Sequence, residues 1–139
     1  MLTLIGMYCL AKYWPLYAFD FIGRQYAVLC FCFLGAVFGL AAIMSFSRAQ
    51  TTIDPRYPNK TSTLVTTGIY RFSRNPMYLG LLCFLCAAFI YFAAMSALLM
   101  LILFVLYMNH FQIAAEEAVL QAMFGERYEH YCRHVRRWC

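Results

Sequence analysis

Two polar clusters flank one long apolar block in the second half of the chain. The first runs from Gly68 to Gly80 and places two arginines, two tyrosines and an Asn-Pro step beside strongly apolar residues. The second runs from Asn109 to Gly125 and contains the adjacent carboxylates Glu116 and Glu117. Tyrosines at a membrane border and carboxylates at a helix start each have ordinary structural uses. Their joint occurrence, in this order around one apolar block, favours a functional site.

The composition is that of an integral membrane protein. The chain has 139 residues, of which 64% are hydrophobic and only 12% charged, far from the usual soluble composition. This length supports one domain, residues 1–139. The net charge of +5 does not indicate a nucleic-acid partner, because the arginines follow membrane borders rather than one soluble face. Anionic lipid headgroups are the expected counter-charge, so membrane lipids are expected partners.

The first third of the chain predicts two transmembrane helices within residues 1–46. Residues 26–46 carry no charge and at about 1.5 Å per residue reach roughly the ~30 Å of a bilayer core. Residues 2–19 form a weaker span, interrupted by Lys12 and Pro15. They lack a basic start and a small-residue cleavage site, so we expect a retained helix rather than a signal peptide. Gly35 and Gly39 have the spacing that allows close helix approach, which we interpret as internal packing.

The apolar block from Tyr78 to Met108 predicts a short helical hairpin. Its 31 residues would measure about 46 Å as one helix, too long for a simple crossing. Basic residues collect on the cytoplasmic side, and they lie on both sides of this block: Arg48, Arg56, Lys60, Arg71 and Arg74 before it, and Arg127, Arg133, Arg136 and Arg137 after it. We therefore predict helices over 76–91 and 95–111, with a turn near Ala93–Ser96.

The predicted fold is all-α, with about four transmembrane helices and an amphipathic C-terminal segment. Apolar residues recur at helical spacing after Glu117, with arginines between them, which is typical of an interfacial helix pair broken near Gly125. The predicted regions are 1–46 for two membrane helices, 47–76 for a cytoplasmic loop and polar cluster, 77–111 for the hairpin, and 112–139 for cytoplasmic helices.

The seven cysteines do not indicate a redox site or a disulfide framework. Cys83 and Cys86 have the Cys-x-x-Cys spacing of oxidoreductases, but no nearby cation in the sequence would activate either thiol. Cysteine packs readily as a small hydrophobe. His130 and His134 share a helical face, but no recognised ligand spacing surrounds them, so no metal site is predicted.

In order and spacing, residues 60–138 resemble the isoprenylcysteine carboxyl methyltransferase family, which is similar to membrane phospholipid methyltransferases. The resemblance is carried by Gly-x-Tyr-Arg-x-x-Arg-Asn-Pro-x-Tyr-x-Gly, the Glu-Glu pair, Phe-Gly-x-x-Tyr-x-x-Tyr and the final Val-Arg-Arg-Trp. It implies a methyltransferase that uses S-adenosylmethionine and acts on a lipophilic or lipid-modified acceptor. The cofactor-binding residues that it implies are Ser62, Thr63, Leu64, Val65, Tyr70, Asn75, Pro76, Met77, Tyr78 and Glu116.

The two carboxylates are expected to differ. Adjacent residues lie about 100° apart on a helix, so at most one of them should point into the site. The resemblance selects Glu116, whose charge suits the cationic end of the cofactor, while aromatic or apolar walls suit its ring. The pocket is expected to open to the cytosol and sideways to the bilayer.

Two positions depart from the family pattern. Asn75 occupies the position where the carboxyl methyltransferases have His. Gln112 occupies the position where they have Arg, and the resemblance implies that this residue binds the methyl acceptor. The missing cation argues against an isoprenylcysteine carboxylate as acceptor, while methyl transfer to O, N or S remains open. Two alternatives remain at this level: a four-helix membrane binding or transport protein, and a thiol oxidoreductase using Cys83 and Cys86.

We predict that Ser62 and the C-terminus share the cytoplasmic side, because arginines flank the hairpin at both ends. Cysteine-accessibility labelling, after the native cysteines are replaced, should modify probes at both places from the same side. Labelling from opposite sides would replace the hairpin with one long tilted helix.

Overall fold

The computed structural model describes residues 1–48 and 63–139. This part of the chain is helical and contains no β-strand, which confirms the all-α prediction. The helices are α1 (Leu2–Tyr13), α2 (Arg24–Arg48), α3 (Pro76–Phe92), α4 (Ala97–Tyr107), α5 (Ala114–Phe124) and α6 (Glu126–His134). A 3-10 turn covers Gly68–Arg71, and a π-helical segment, Met108–Ile113, joins α4 to α5.

Two helical stretches are long and apolar enough to cross a bilayer. They are α2, with 25 residues, and the continuous stretch Ala97–Phe124, with 28 residues. Helices α1 and α3 are also apolar but have only 12 and 17 residues. Length and composition therefore identify two spans in the described residues rather than about four. Helix α1 ends well before residue 19 because Pro15 disfavours the helical conformation at Trp14, whose φ is −149°.

The second helix of the hairpin extends beyond residue 111, where the sequence predicts its end. The helix that begins at Ala97 continues through the π-helical segment to Phe124. No glycine or proline occurs between Met108 and Phe124, so nothing in that stretch breaks the backbone hydrogen bonding. The break comes at Gly125, whose φ is +50°, as the sequence predicts. The second polar cluster therefore lies on the continuation of an apolar helix that is long enough to cross a membrane.

Helices α3 and α4 form the predicted antiparallel hairpin. Ala93 adopts a left-handed conformation, with φ of 53°, and ends α3. The segment before α2 packs on this turn: Phe19 N donates to Ala93 O at 3.0 Å, and Met95 N donates to Tyr17 O at 2.9 Å. The beginning of α3 therefore lies beside the beginning of α5, and the two polar clusters meet at the same end of the hairpin.

The core beneath this turn is apolar and joins three helices. Its fully buried or nearly buried residues are Met7, Leu85, Ala97, Leu101, Phe104, Met108 and Ile113. They come from α1, α3, α4 and the π-helical segment, so α1 is fixed to the hairpin by packing although it is short.

Glycines set the close crossing of α2 and α3. A Cβ atom on Gly80 would lie 2.9 Å from Gly35 O, and one on Gly35 would lie 2.9 Å from Gly80 O. Both obstacles are backbone atoms, which cannot move aside without separating the helices. The interpretation of Gly35 as an internal packing residue is confirmed. Gly39 differs, because a Cβ there would meet nothing within 4 Å.

Replacement of Gly80 by Ala should lower stability by about 1–3 kcal/mol, since the added methyl group overpacks a helix contact made by backbone. Gly39→Ala is the matched control, which should be neutral or stabilising by up to about 1 kcal/mol through helix propensity. Thermal unfolding of both variants in detergent measures the difference. Equal melting temperatures would contradict the close crossing.

Candidate active site

A cavity lies where the 3-10 turn, the beginning of α3, α5 and α6 come together. It measures about 170 Å³. Both polar clusters contribute to its walls, although they are about 40 residues apart in the sequence. Its lining residues are Phe46, Thr63, Leu64, Val65, Tyr70, Arg74, Asn75, Met77, Tyr78, Glu116, Glu117, Leu120, Tyr128 and Tyr131.

The C-terminal strap, residues 135–138, is tied across the first polar cluster by backbone hydrogen bonds. Arg74 N donates to Arg136 O at 3.0 Å, and Asn75 Nδ2 donates to Arg137 O at 3.0 Å. The fully buried Ser73 hydroxyl donates to the same carbonyl of Arg137 at 3.4 Å. Asn75 therefore has a structural task, since its amide makes the shorter of the two hydrogen bonds to the Arg137 carbonyl.

A three-residue ion-pair network holds the strap to α5. Arg137 contacts Glu117 through two bonds, Nε to Oε1 at 3.1 Å and Nη2 to Oε2 at 2.5 Å. Arg74 Nη1 lies 3.1 Å from Glu117 Oε1 and donates to Cys132 Sγ on α6 at 2.6 Å. Burial disfavours the charged form of Arg74, but Glu117, Cys132 and Tyr128 together outweigh this effect and raise the pKa of the guanidinium. Glu117 is thus neutralised by two cations.

Glu116 has different partners. Its Oε1 accepts hydrogen bonds from the Tyr78 hydroxyl at 2.5 Å and from Gln112 Nε2 at 2.8 Å. Both of these described partners are uncharged. Hydrogen bonds to an ionised carboxylate are strong and orient it. The Glu116 carboxylate is therefore held in one orientation on the cavity wall by two neutral donors.

The π-helical segment sets the direction of both carboxylates. A π turn contains an extra residue, which rotates the following helix by about 100° relative to an uninterrupted α-helix. The same segment holds the strap, because Asn109 Oδ1 accepts a hydrogen bond from Trp138 Nε1 at 2.9 Å. Rotation of α5 by this amount is what allows Glu116 and Glu117 to face the first polar cluster.

Buried tyrosines form the wall opposite α5. The Tyr131 hydroxyl donates to Tyr70 O at 2.7 Å, and the Tyr70 ring contacts Phe46 edge to face at 5.4 Å. Burial raises the pKa of Tyr70, and neighbouring Tyr131 and Glu116 add to the shift. Burial likewise raises the pKa of Tyr131. Both phenols therefore stay protonated at neutral pH, and this wall is aromatic and uncharged.

Comparison with known proteins connects this cavity with one family. The sequence model of the phospholipid methyltransferase family matches residues 24–127. The chain belongs to the phospholipid methyltransferase family. That family includes isoprenylcysteine carboxyl methyltransferase-like proteins, so the resemblance described from the sequence is confirmed. An uncharacterized protein of Haemophilus influenzae is 45% identical over 62 residues, which cover 45% of this chain and 98% of that protein. No solved structure matches the chain.

The range matched by the phospholipid methyltransferase family contains most of the cavity wall. It covers Tyr70, Tyr78 and both carboxylates, and it ends before Tyr131 and the C-terminal strap. Membership supports methyltransferase activity in a membrane protein. The strap and the tyrosines of α6 lie beyond the matched range.

Most residues implied as a cofactor site lie around the one cavity. Those that line it are Thr63, Leu64, Val65, Tyr70, Asn75, Met77, Tyr78 and Glu116. Ser62 lies outside the described residues. Pro76 is buried as the first residue of α3 and does not line the cavity. Gln112 does not line it either and instead holds Glu116 in place.

The expectation that only one carboxylate points toward the site is wrong. Glu116 and Glu117 both line the cavity, the first hydrogen-bonded to Tyr78 and the second paired with Arg74 and Arg137. Sequence reasoning also missed Phe46, Leu120, Tyr128 and Tyr131 as wall residues. The repeated tyrosines near the C-terminus were a usable signal, since buried tyrosines need hydroxyl partners. Cys83 and Cys86 lie within α3 and outside the cavity wall.

Deletion of the exposed Phe111 should remove the extra residue of the π-helical segment and rotate α5 by about 100°. Glu117 would then take the place of Glu116 beside Tyr78, and Arg74 and Arg137 would lose their carboxylate, so the melting temperature should fall strongly. Phe111→Ala keeps the helix register at the same exposed site and should leave it nearly unchanged. A deletion as stable as the substitution would contradict the role given to the π turn.

Proposed function

We propose that this chain transfers a methyl group from S-adenosylmethionine to a lipophilic acceptor in the membrane. The supporting observation is the Glu116 carboxylate, which is oriented by two neutral donors inside a cavity with aromatic walls. Family membership supplies the reaction class. The geometry supplies the residues that would bind the cofactor.

The cavity suits S-adenosylmethionine by the chemistry of its walls. When bound, this cofactor supplies an electrophilic methyl group on a sulfonium. Glu116 would attract the cationic end of the molecule, and Tyr78 and Gln112 would keep the carboxylate aimed at it. Tyr70 and Phe46 offer ring faces and edges that can pack against an adenine. Tyr131 fixes the 3-10 turn through its bond to Tyr70 O, so the aromatic wall is formed before any ligand binds.

Glu117 has a positioning role in this proposal. It holds Arg74 and Arg137, and through them the strap and α6, against α5. The cations around Glu117 are engaged with it, which fits an acceptor without a carboxylate, such as a neutral nucleophile of a lipid. Phe46 from α2 and Leu120 from α5 give the cavity apolar walls that continue into membrane helices. An acceptor dissolved in the bilayer can approach along such walls.

For the membrane arrangement, we propose a multi-pass protein in which α1 and α3 also lie within the bilayer beside the two longer spans. Packing of α3 along α2 and of α1 on α4 supports this arrangement. The cavity then opens at the membrane end that carries the arginines, which we assign to the cytoplasmic side because of the charge bias. The cofactor is soluble and would enter from there.

Glu116→Gln should weaken cofactor binding by roughly ten- to a hundred-fold, because it keeps size and hydrogen bonding but removes a charge worth about 1.5–3 kcal/mol. Glu117→Gln is the matched control on the adjacent residue. It should lower stability by about 1.5–3 kcal/mol, since two guanidinium groups lose a charged partner, while the folded fraction keeps most of its affinity. Calorimetry of folded protein and thermal unfolding measure both effects.

The two variants should lose different properties, one its cofactor affinity and the other its stability. An affinity loss in Glu116→Gln with unchanged stability, and the reverse in Glu117→Gln, supports the two separate roles. Equal cofactor affinities in the two folded variants would remove Glu116 from the binding site.

A further inference from the structure

A second groove adjoins the cavity and shares Leu64 and Tyr131 with it. Its volume is about 710 Å³. Arg71 of the 3-10 turn lines one side, and α6 lines the other, where its nitrogen-bearing side chains are Arg127, His130 and His134. These three recur at intervals of three and four residues, so they share one face of the helix.

The groove lies at the membrane boundary. The 3-10 turn packs against α2, and a Cβ atom on Gly68 would lie 2.9 Å from the Ser45 hydroxyl in the last turn of that helix. Helix α2 has 25 residues and measures about 37 Å, more than the ~30 Å hydrocarbon core. Arg71 is therefore placed at the depth of lipid headgroups rather than in bulk solvent.

We infer that this groove binds the headgroup phosphate of an anionic phospholipid, separately from the methyl-transfer cavity. Guanidinium groups match phosphate oxygens in planar, bidentate geometry, and the imidazoles supply further N–H donors. Anionic lipids also concentrate near basic residues at a membrane surface. A soluble phosphate compound has the same chemistry but lacks the membrane anchoring that the depth of the groove favours.

Charges on the same helix provide internal controls. Arg133 of α6 does not line the groove and lies 3.9 Å from Glu129 in an exposed ion pair. Glu126 does line the groove, and its carboxylate should repel a phosphate. Removal of the charge of Arg133 should therefore leave phosphate binding in the groove unchanged, whereas removal of the charge of Glu126 should strengthen it. Both residues are exposed on the same short helix.

The test titrates phosphatidylglycerol into the full-length protein in neutral detergent and measures bound lipid by native mass spectrometry. Each groove arginine should contribute about fivefold in affinity. The Arg71→Gln/Arg127→Gln variant should thus bind about 25-fold more weakly, while Arg133→Gln should stay close to wild type. Glu126→Gln should bind more tightly. Phosphatidylcholine and inorganic phosphate are the comparison ligands, and the melting temperature reports folding.

Three results would overturn the inference. One is equal loss in Arg133→Gln and the groove variant, which would mean attraction by net charge alone. Another is unchanged binding in the groove variant, and the third is displacement of the lipid by equimolar inorganic phosphate, which would identify a soluble anion as the ligand. If the double variant unfolds, the single variants and Glu126→Gln decide the matter, because all of the altered side chains are exposed. None of these readouts depends on methyl transfer.

Discussion

Glu117 joins three segments that are far apart in the sequence: the first polar cluster, the beginning of α5 and the C-terminal strap. Its carboxylate binds the guanidinium groups of Arg74 and Arg137 at 2.5–3.1 Å. Arg74 and Glu117 are mostly buried, with 15% and 19% of their side chains exposed. Breaking a buried pair leaves an uncompensated charge, which is costly. The network therefore stabilises the cavity, because Arg74 also contacts Cys132 on α6, the helix whose Tyr128 and Tyr131 line the cavity.

Two adjacent carboxylates have different partners in the described part of the chain. Glu117 contacts two guanidinium groups, whereas Glu116 accepts hydrogen bonds from two neutral donors, and we propose that its charge serves a ligand. The π-helical segment makes this division possible, since it rotates both residues toward the first cluster. The close crossing of α2 and α3 at Gly35 and Gly80 then brings Phe46 into contact with the aromatic wall. The ion pairs of Glu117 and the close packing of α2 on α3 thus both position walls of this cavity.

Local features of the sequence predicted much of the fold. An uncharged run marked α2, the Asn75–Pro76 step marked the start of α3, and Gly125 marked the end of α5. The length of the second hairpin helix was not predictable from composition, because its polar residues begin at Asn109 while its backbone continues as a helix. A π turn has no simple sequence signature, so the direction of Glu117 could not be read from helix geometry. The contact between Gly35 and Gly80 could not be predicted, because the sequence does not show which helix packs against α2.

For the site, ordered motifs predicted which residues would assemble, and eight of the implied cofactor-binding residues line one cavity. Motifs did not predict what each residue contacts. Asn75 binds the carbonyl of Arg137, and Gln112 orients Glu116, so both positions that depart from the carboxyl methyltransferase pattern have structural tasks here. Tyr128 and Tyr131 were missed because their role depends on the fold of α6 back over the 3-10 turn.

The central claim is that a cofactor with a cationic end binds between the two polar clusters. Ultraviolet cross-linking of radiolabelled S-adenosylmethionine to the full-length protein, followed by peptide mapping, tests it most directly. The account predicts label in peptides that contain Tyr70, Tyr78 or Tyr131, and competition by unlabelled demethylated product. Label confined to α1 or α4, or no specific labelling, would contradict it.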